Sequence, residues 1–239
     1  MTIDLISFDL DGTLIDTASE IAEAANRALE SHGLERRPED QITAFIGHGG
    51  RALINALRND VIAQDPAVEH RMSFEQLFAS FDEHYGDTTG TLSQPYPGTH
   101  EALEQLRACG VRLVCVTNKD HRHAIHALEF HGLVAPFELV IGGDTLPEKK
   151  PHPSVLQHVA TTLGIPIERI AHIGDSATDV LAAKNSGVAA WAVPYGYNSG
   201  IPITAANPDR VFHSLPEMSK YVIEMKAISQ AEGRNIRVH

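Results

Sequence analysis

From residue 99 onward the chain alternates helical stretches with short apolar runs, and this alternation restricts the fold more than any other feature. Helical spacing over residues 99–108 stops at Gly110 and is followed by the apolar run 111–116; the next helix, 121–131, stops at Gly132. Apolar run 138–141, helix 154–163, run 169–173, helix 177–186 and run 188–193 continue the pattern. Strands alternating with helices of this length predict an α/β fold. Its core is a Rossmann-like parallel sheet covered on both faces, with ligands at the carboxyl ends of the strands. The apolar run Ile3 to Phe8, closed by Asp-Leu-Asp-Gly, predicts one more buried strand ending in a loop. A short strand near Val211 and a helix over 216–228 complete the expected core.

Residues 16–90 read differently. Apolar positions Ile21, Ala24, Ala25, Ala28 and Leu29 have helical spacing, as do stretches around 42–46, 51–62 and 74–85, and no strand is evident. We therefore expect an all-helical domain inserted into a core made of 1–15 and 91–229, with 230–239 a polar, flexible tail. The 239 residues are 43% apolar, which excludes intrinsic disorder. The net charge of −12 argues against binding nucleic acid or an anionic membrane surface, so an anionic ligand needs a local positive pocket. Two cysteines, Cys109 and Cys115, fit reduced thiols, and neither a basic leader nor a membrane-length apolar run is present. These features predict a cytoplasmic protein and leave open whether it is a monomer or a homodimer.

Four polar groups fall at the ends of predicted parallel strands: Asp9 and Asp11 after the first, Thr117 and Asn118 after the second, Lys150 after the third, Asp175 and Asp179 after the fourth. Parallel strands put these ends on one edge. A carboxylate there can attack phosphorus, while a second, held protonated, donates a proton to the departing alkoxide. An Asx turn at Gly12 explains one acid but not two. A phosphate monoester near −2 with ionised Asp9 and Asp175 sums to about −4. One like-charge pair 4 Å apart costs about 4 kcal/mol at an effective dielectric of 20, so such a site needs cations. Lys150 offers one, with Lys149 as a rival. A hard divalent ion such as Mg²⁺, held by Asp9, the main-chain carbonyl of Asp11 and Asp175, offers the rest. Thr117 and the following amides can hold phosphate oxygens or simply cap a helix. Ser176-x-x-Asp179 has the spacing of a capping box, which competes with a functional role for Asp179.

The set Asp9-Leu-Asp-Gly-Thr-Leu, Val116-Thr-Asn, Lys150-Pro and Gly174-Asp-Ser-x-x-Asp179 resembles the four motifs of the haloacid dehalogenase superfamily, in order. The helical insert resembles that superfamily's small helical cap. The resemblance covers nearly the whole chain and implies Asp9 as nucleophile, Asp11 as acid and then base, and Thr117 and Lys150 as phosphate stabilisers. It further implies Asp175 as a Mg²⁺ ligand and Asp179 as the group orienting a metal-bound water or Lys150. Asp11 argues against the dehalogenase and phosphonate-cleaving branches, which lack this second acid, and leaves phosphoryl transfer. Phe45-Ile-Gly-His-Gly-Gly-Arg-Ala-Leu, Tyr96-Pro-Gly and Thr117-Asn-Lys119 resemble the phosphoglycolate phosphatase group. A β-phosphoglucomutase-like sugar-phosphate mutase, or a catalytically silent binding module of the same fold, would share the core motifs.

In the insert, Gly47, Gly49 and Gly50 can expose amides at a helix start as an anion nest. Arg51 in a first helical turn opposes the helix dipole, so helix stability does not explain it. Arg51 or His48 is therefore expected to meet a substrate carboxylate, and Asn118 and Gly49 are expected among the substrate-binding residues. The cluster His121, Arg122, His123, His126 and His131 straddles several helical faces and is expected to be a solvated surface.

Overall fold

The computed structural model describes residues 2–235. Strands β1 (Leu5–Phe8), β4 (Arg112–Val116), β5 (Leu139–Ile141), β6 (Ile170–Gly174), β7 (Ala189–Ala192) and β8 (Arg210–Val211) form one sheet in the order β5-β4-β1-β6-β7-β8. Every pairing in it is parallel. Helices α6 (Thr99–Ala108), α7 (His121–Phe130), α8 (Ser154–Leu163) and α9 (Ala177–Ser186) alternate with these strands, and α10 (Leu215–Asn235) follows the last. The α/β class expected from the alternation is the class observed.

β1 is buried along its whole length because it lies in mid-sheet between β4 and β6. Its side chains alternate between faces: Ile6 and Phe8 join one apolar cluster with Leu103, Leu128 and Trp191, while Leu5 joins another with Val155 and Val180. Phe8 is level with Cys115 of β4 and Ile173 of β6, so the three chains leave the sheet at one edge. That register is what brings residues 9, 117 and 175 together.

Residues 18–88 fold as α1 (Ala18–Ser31), α2 (Glu39–Thr43), α3 (Gly50–Gln64), α4 (Val68–Arg71) and α5 (Phe74–Thr88), packed around a separate apolar cluster that includes Leu29, Ile54, Leu57 and Leu77. α5 begins with a capping box in which Ser73 and Gln76 satisfy each other's backbone amides. The chain enters and leaves this insert through a two-residue antiparallel ribbon, β2 (Ile15–Asp16) with β3 (Gln94–Pro95). The sequence reading contains no such ribbon, because two residues have no hydrophobic period. α10 also runs past the expected stop at 228, through Ala231 and Glu232, which favour helix, to Asn235. The helix thus extends into the stretch expected to be a tail, whose positions 236–239 lie outside the described residues. Among the described residues no helix is long and apolar enough to cross a membrane, and Cys109 and Cys115 are free thiols.

Candidate active site

Asp9 is held at the end of β1 by its own amide, which donates to the Ile173 carbonyl at 2.9 Å. Asp175 follows β6, and Asp179 comes from the first turn of α9. One carboxylate oxygen from each of these three buried acids lies within 4.8 Å of the other two. Lys150, 3% exposed, sits between two of them, with Nζ 2.8 Å from Asp9 Oδ1 and 2.6 Å from Asp179 Oδ1. The Asp179 contact is a hydrogen bond, whereas the Asp9 contact is an ion pair whose angle leaves Asp9 Oδ1 without a hydrogen-bond donor. Lys149, the rival, reaches the His48 carbonyl instead, at 2.7 Å.

Burial sets the electrostatics. It pushes the Asp9 carboxyl up to about 6, helped by the charge of Asp179. It pushes Asp175 well above the ordinary carboxylate range, with Asp179 and Asp9 adding to the effect. Burial also opposes ionisation of Asp179, but Lys150 and His172 outweigh it and hold that carboxyl below its usual range. Lys150 is raised despite its burial, because Asp179 and Asp9 flank it. Asp179 also accepts from the Ser176 amide at 3.1 Å and hydroxyl at 2.6 Å, so the helix-capping role and the contact with Lys150 coexist. Asp9 and Asp175 therefore remain short of positive charge, in a pocket of oxygen ligands suited to a hard cation.

Gly12 makes the close approach possible. Its φ is +78°, and a Cβ there would lie 2.4 Å from Asp175 Oδ2. Asp175 is fixed by the Tyr197 amide at 2.5 Å and by Thr13 Oγ1 at 3.3 Å. Asp11 lies outside the three-acid group: its Oδ1 accepts from Thr17 Oγ1 and from Lys119 Nζ, both at 2.7 Å, and its Oδ2 has no hydrogen-bond donor among the described residues. Its side chain is thus engaged elsewhere, which is compatible with the expectation that Asp11 would serve a cation through its main-chain carbonyl.

Thr117 is buried at the end of β4 and lines a cleft between the insert and the sheet edge, together with Asp9, Asp11, Asn118 and Lys119. Asn118 lines the cleft, and its Nδ2 donates to the Gly47 carbonyl at 3.1 Å and the Lys150 carbonyl at 3.0 Å, tying insert to core. Gly49 lines the cleft at φ +86°, where a Cβ would lie 2.6 Å from the Asn118 carbonyl. His48 Nδ1 lies 3.4 Å from Thr178 Oγ1, and His48 is not among the lining residues.

Two residues differ from the expected picture. Arg51 is bound by Glu75 at 2.5 Å and lies 4.7 Å from the ring centres of Phe74 and Phe78, its side chain 54% exposed and not among the residues lining the cleft. The His-rich helix is not wholly a solvated surface either: His123 is buried against Tyr85, with Nε2 3.0 Å from Asp82 Oδ1. Burial lowers the proton affinity of His123 against the pull of Asp82. Sequence reasoning gave no role to Lys119, Tyr85 or Glu20. Lys119 Nζ contacts the Tyr85 hydroxyl as well as Asp11, and Tyr85 in turn reaches Glu20 at 3.4 Å. The available signal was the position of Lys119, in the same strand-ending loop as Thr117.

A parallel sheet whose central strand ends in two acids, joined at one edge by a lysine and two further acids and covered by a helical insert, defines a hydrolase of the haloacid dehalogenase type. Residues 6–193 match the family model of the haloacid dehalogenase-like hydrolases, and the chain belongs to that family. Within it, the chain is 39% identical over 222 residues to a phosphoglycolate phosphatase of Vibrio parahaemolyticus, covering 92% of this chain and 96% of the relative. It is 36% identical over 224 residues to that of Thiobacillus denitrificans, covering 93% and 96%. The crystal structure of a "predicted phosphoglycolate phosphatase" from Haemophilus somnus 129pt superposes with a TM-score of 0.87 at 33% identity, covering 92% of this chain and 98% of that one.

Proposed function

We propose that the chain is a Mg²⁺-dependent phosphomonoester hydrolase that works through an aspartyl phosphate, with 2-phosphoglycolate or a similar small phosphorylated acid as substrate. The observation that carries this reading is the buried group Asp9, Asp175 and Asp179 with Lys150 between two of its members. The substrate class draws on the names of the relatives at 36–39% identity. Asp9, Asp175 and the Asp11 carbonyl would hold the ion; the all-oxygen donor set fits Mg²⁺ better than zinc. When bound, Mg²⁺ supplies positive charge to the phosphate and to Asp9.

The remaining chemistry belongs to the chain. A carboxylate oxygen of Asp9 attacks phosphorus, the bond from phosphorus to the ester oxygen breaks, and Asp11 gives its proton to that oxygen. Asp11 then takes a proton from the water that attacks the aspartyl phosphate, releasing inorganic phosphate and regenerating Asp9. Lys150 and Thr117 hold the phosphoryl oxygens in both steps. Asp179 keeps Lys150 in position, and the insert excludes bulk water from the intermediate.

Phosphate release measured over 2-phosphoglycolate, sugar phosphates, nucleotides and pyrophosphate, with and without Mg²⁺, tests the reading. We expect 2-phosphoglycolate to be the best substrate, turnover to require Mg²⁺, and Asp9→Asn to lose at least about 10³-fold in kcat while unfolding cooperatively. Wild-type turnover in Asp9→Asn would remove the nucleophile. Turnover that needs a sugar bisphosphate primer would identify a mutase, and inactivity across the panel a binding module.

A further inference from the structure

With Arg51 not among the lining residues, the cleft still holds one ammonium. Among the described residues that line it, Lys119 is the only lysine or arginine. Lys119 is 5% exposed, and two of its three N–H groups have partners, Asp11 Oδ1 at 2.7 Å and the Tyr85 hydroxyl. A buried ammonium with a donor left over is costly unless a ligand meets it. Ile21, Leu53 and Phe81 of the insert give part of the lining, and Asp82, Asp120 and His123 line the cleft as well. Of the nearby acids, Asp82 is already held by His123 and Arg122.

We infer that Lys119 is the specificity residue that receives the carboxylate on the substrate's leaving group. The inference rests on the phosphatase reading and adds to it the group that selects the acid. Its geometry follows from Asp11. Thr17 and Lys119 both occupy Oδ1, so Oδ2 is the oxygen left to protonate the departing ester oxygen. Both oxygens share one carbon, so a group held at Oδ2 has Lys119 as its near neighbour across Oδ1. In a 2-hydroxy acid the carboxyl carbon is two bonds from the ester oxygen, which puts its oxygens within reach of that ammonium. A charge-assisted contact of this kind, with the one ammonium among the described lining residues, discriminates strongly against an ester that lacks the carboxylate.

The test compares 2-phosphoglycolate with ethyl phosphate, which replaces the carboxylate by a methyl group, on the Mg²⁺-loaded enzyme. Wild type should prefer 2-phosphoglycolate in kcat/KM by more than the roughly 100-fold that apolar pocket contacts supply, toward the ~10⁴-fold of a site whose buried polar partner is left unpaired. Lys119→Met should slow both esters, because Asp11 loses a partner, but should also cut the preference at least about tenfold, chiefly through KM. An unchanged ratio would assign Lys119 to positioning Asp11 alone and overturn the inference. If Lys119→Met does not fold, wild type supplies the answer: glycolate should inhibit hydrolysis of ethyl phosphate at least about tenfold more tightly than glycolamide. Equal inhibition overturns the inference while leaving the phosphatase reading intact. Absence of phosphate release from either ester in wild type defeats that reading, and the role of Lys119 with it.

Discussion

Arg51 occupies the first turn of α3, where the helix dipole disfavours a cation, and from sequence alone that misplacement points to a ligand. In the folded chain the misplacement has a local cause: Glu75 and the rings of Phe74 and Phe78 on α5 take the guanidinium. Arg51→Ala is therefore expected to leave KM for 2-phosphoglycolate and for ethyl phosphate unchanged within about twofold, as for an exposed ion pair. A selective rise in KM for the carboxylated ester would return Arg51 to the site. The contrast with Asp9, Asp11, Lys150 and Asp175 explains what was legible. Asp9, Asp11 and Asp175 come within three residues of strand ends and Lys150 lies in the loop after β5, so the backbone register brings all four to one edge. The positions of Arg51 and Lys119 depend on which neighbouring helix meets them, and helix-to-helix contact leaves no period in a single sequence.

At the scale of elements, α6, α8 and α9 begin and end where the apolar spacing and the following stop residues predict. Helix α7 also starts as expected, but its faces could not be assigned, because histidine suits both surface and interior. Its buried His123 meets Asp82 and Tyr85 of α5, with Arg122 on the same acid and Lys119 close by, and so joins core to insert. Burial depresses the proton affinity of His123 in the fold relative to the unfolded chain, whose histidines titrate near 6.5. Below that pH the unfolded chain binds the extra proton more readily, so stability from neutral His123 is present above about 6.5 and is lost as pH falls through the lower folded value. His123→Gln should remove this component. Melting temperatures measured from pH 7.5 down to 5.5 should fall less steeply in the variant than in wild type, and parallel curves would show that His123 does not couple the two elements.

Across the whole molecule, Asp9, Asp11, Asp175 and Asp179 converge on Lys119 and Lys150, so four carboxylates face two ammoniums in a chain already at −12. The sheet imposes this excess, because parallel strands deliver their ends to one edge whatever the charges there. Burial and mutual repulsion accordingly raise Asp9 and Asp175, and with no divalent cation among these acids the protein carries that penalty as lost stability. A divalent cation that binds the native site and not the unfolded chain must then stabilise the fold by mass action, by about 2.7 kcal/mol at one hundred times its dissociation constant. Protein dialysed against EDTA should melt at a lower temperature than the same protein in excess Mg²⁺, with the difference growing as the logarithm of ion concentration. Asp175→Asn removes one ligand and part of the repulsion together. It should therefore melt at or above the dialysed wild type in EDTA, yet gain little on addition of Mg²⁺. A Mg²⁺-induced shift as large in Asp175→Asn as in wild type would mean that the ion binds elsewhere and that the three-acid group is balanced by its lysines alone.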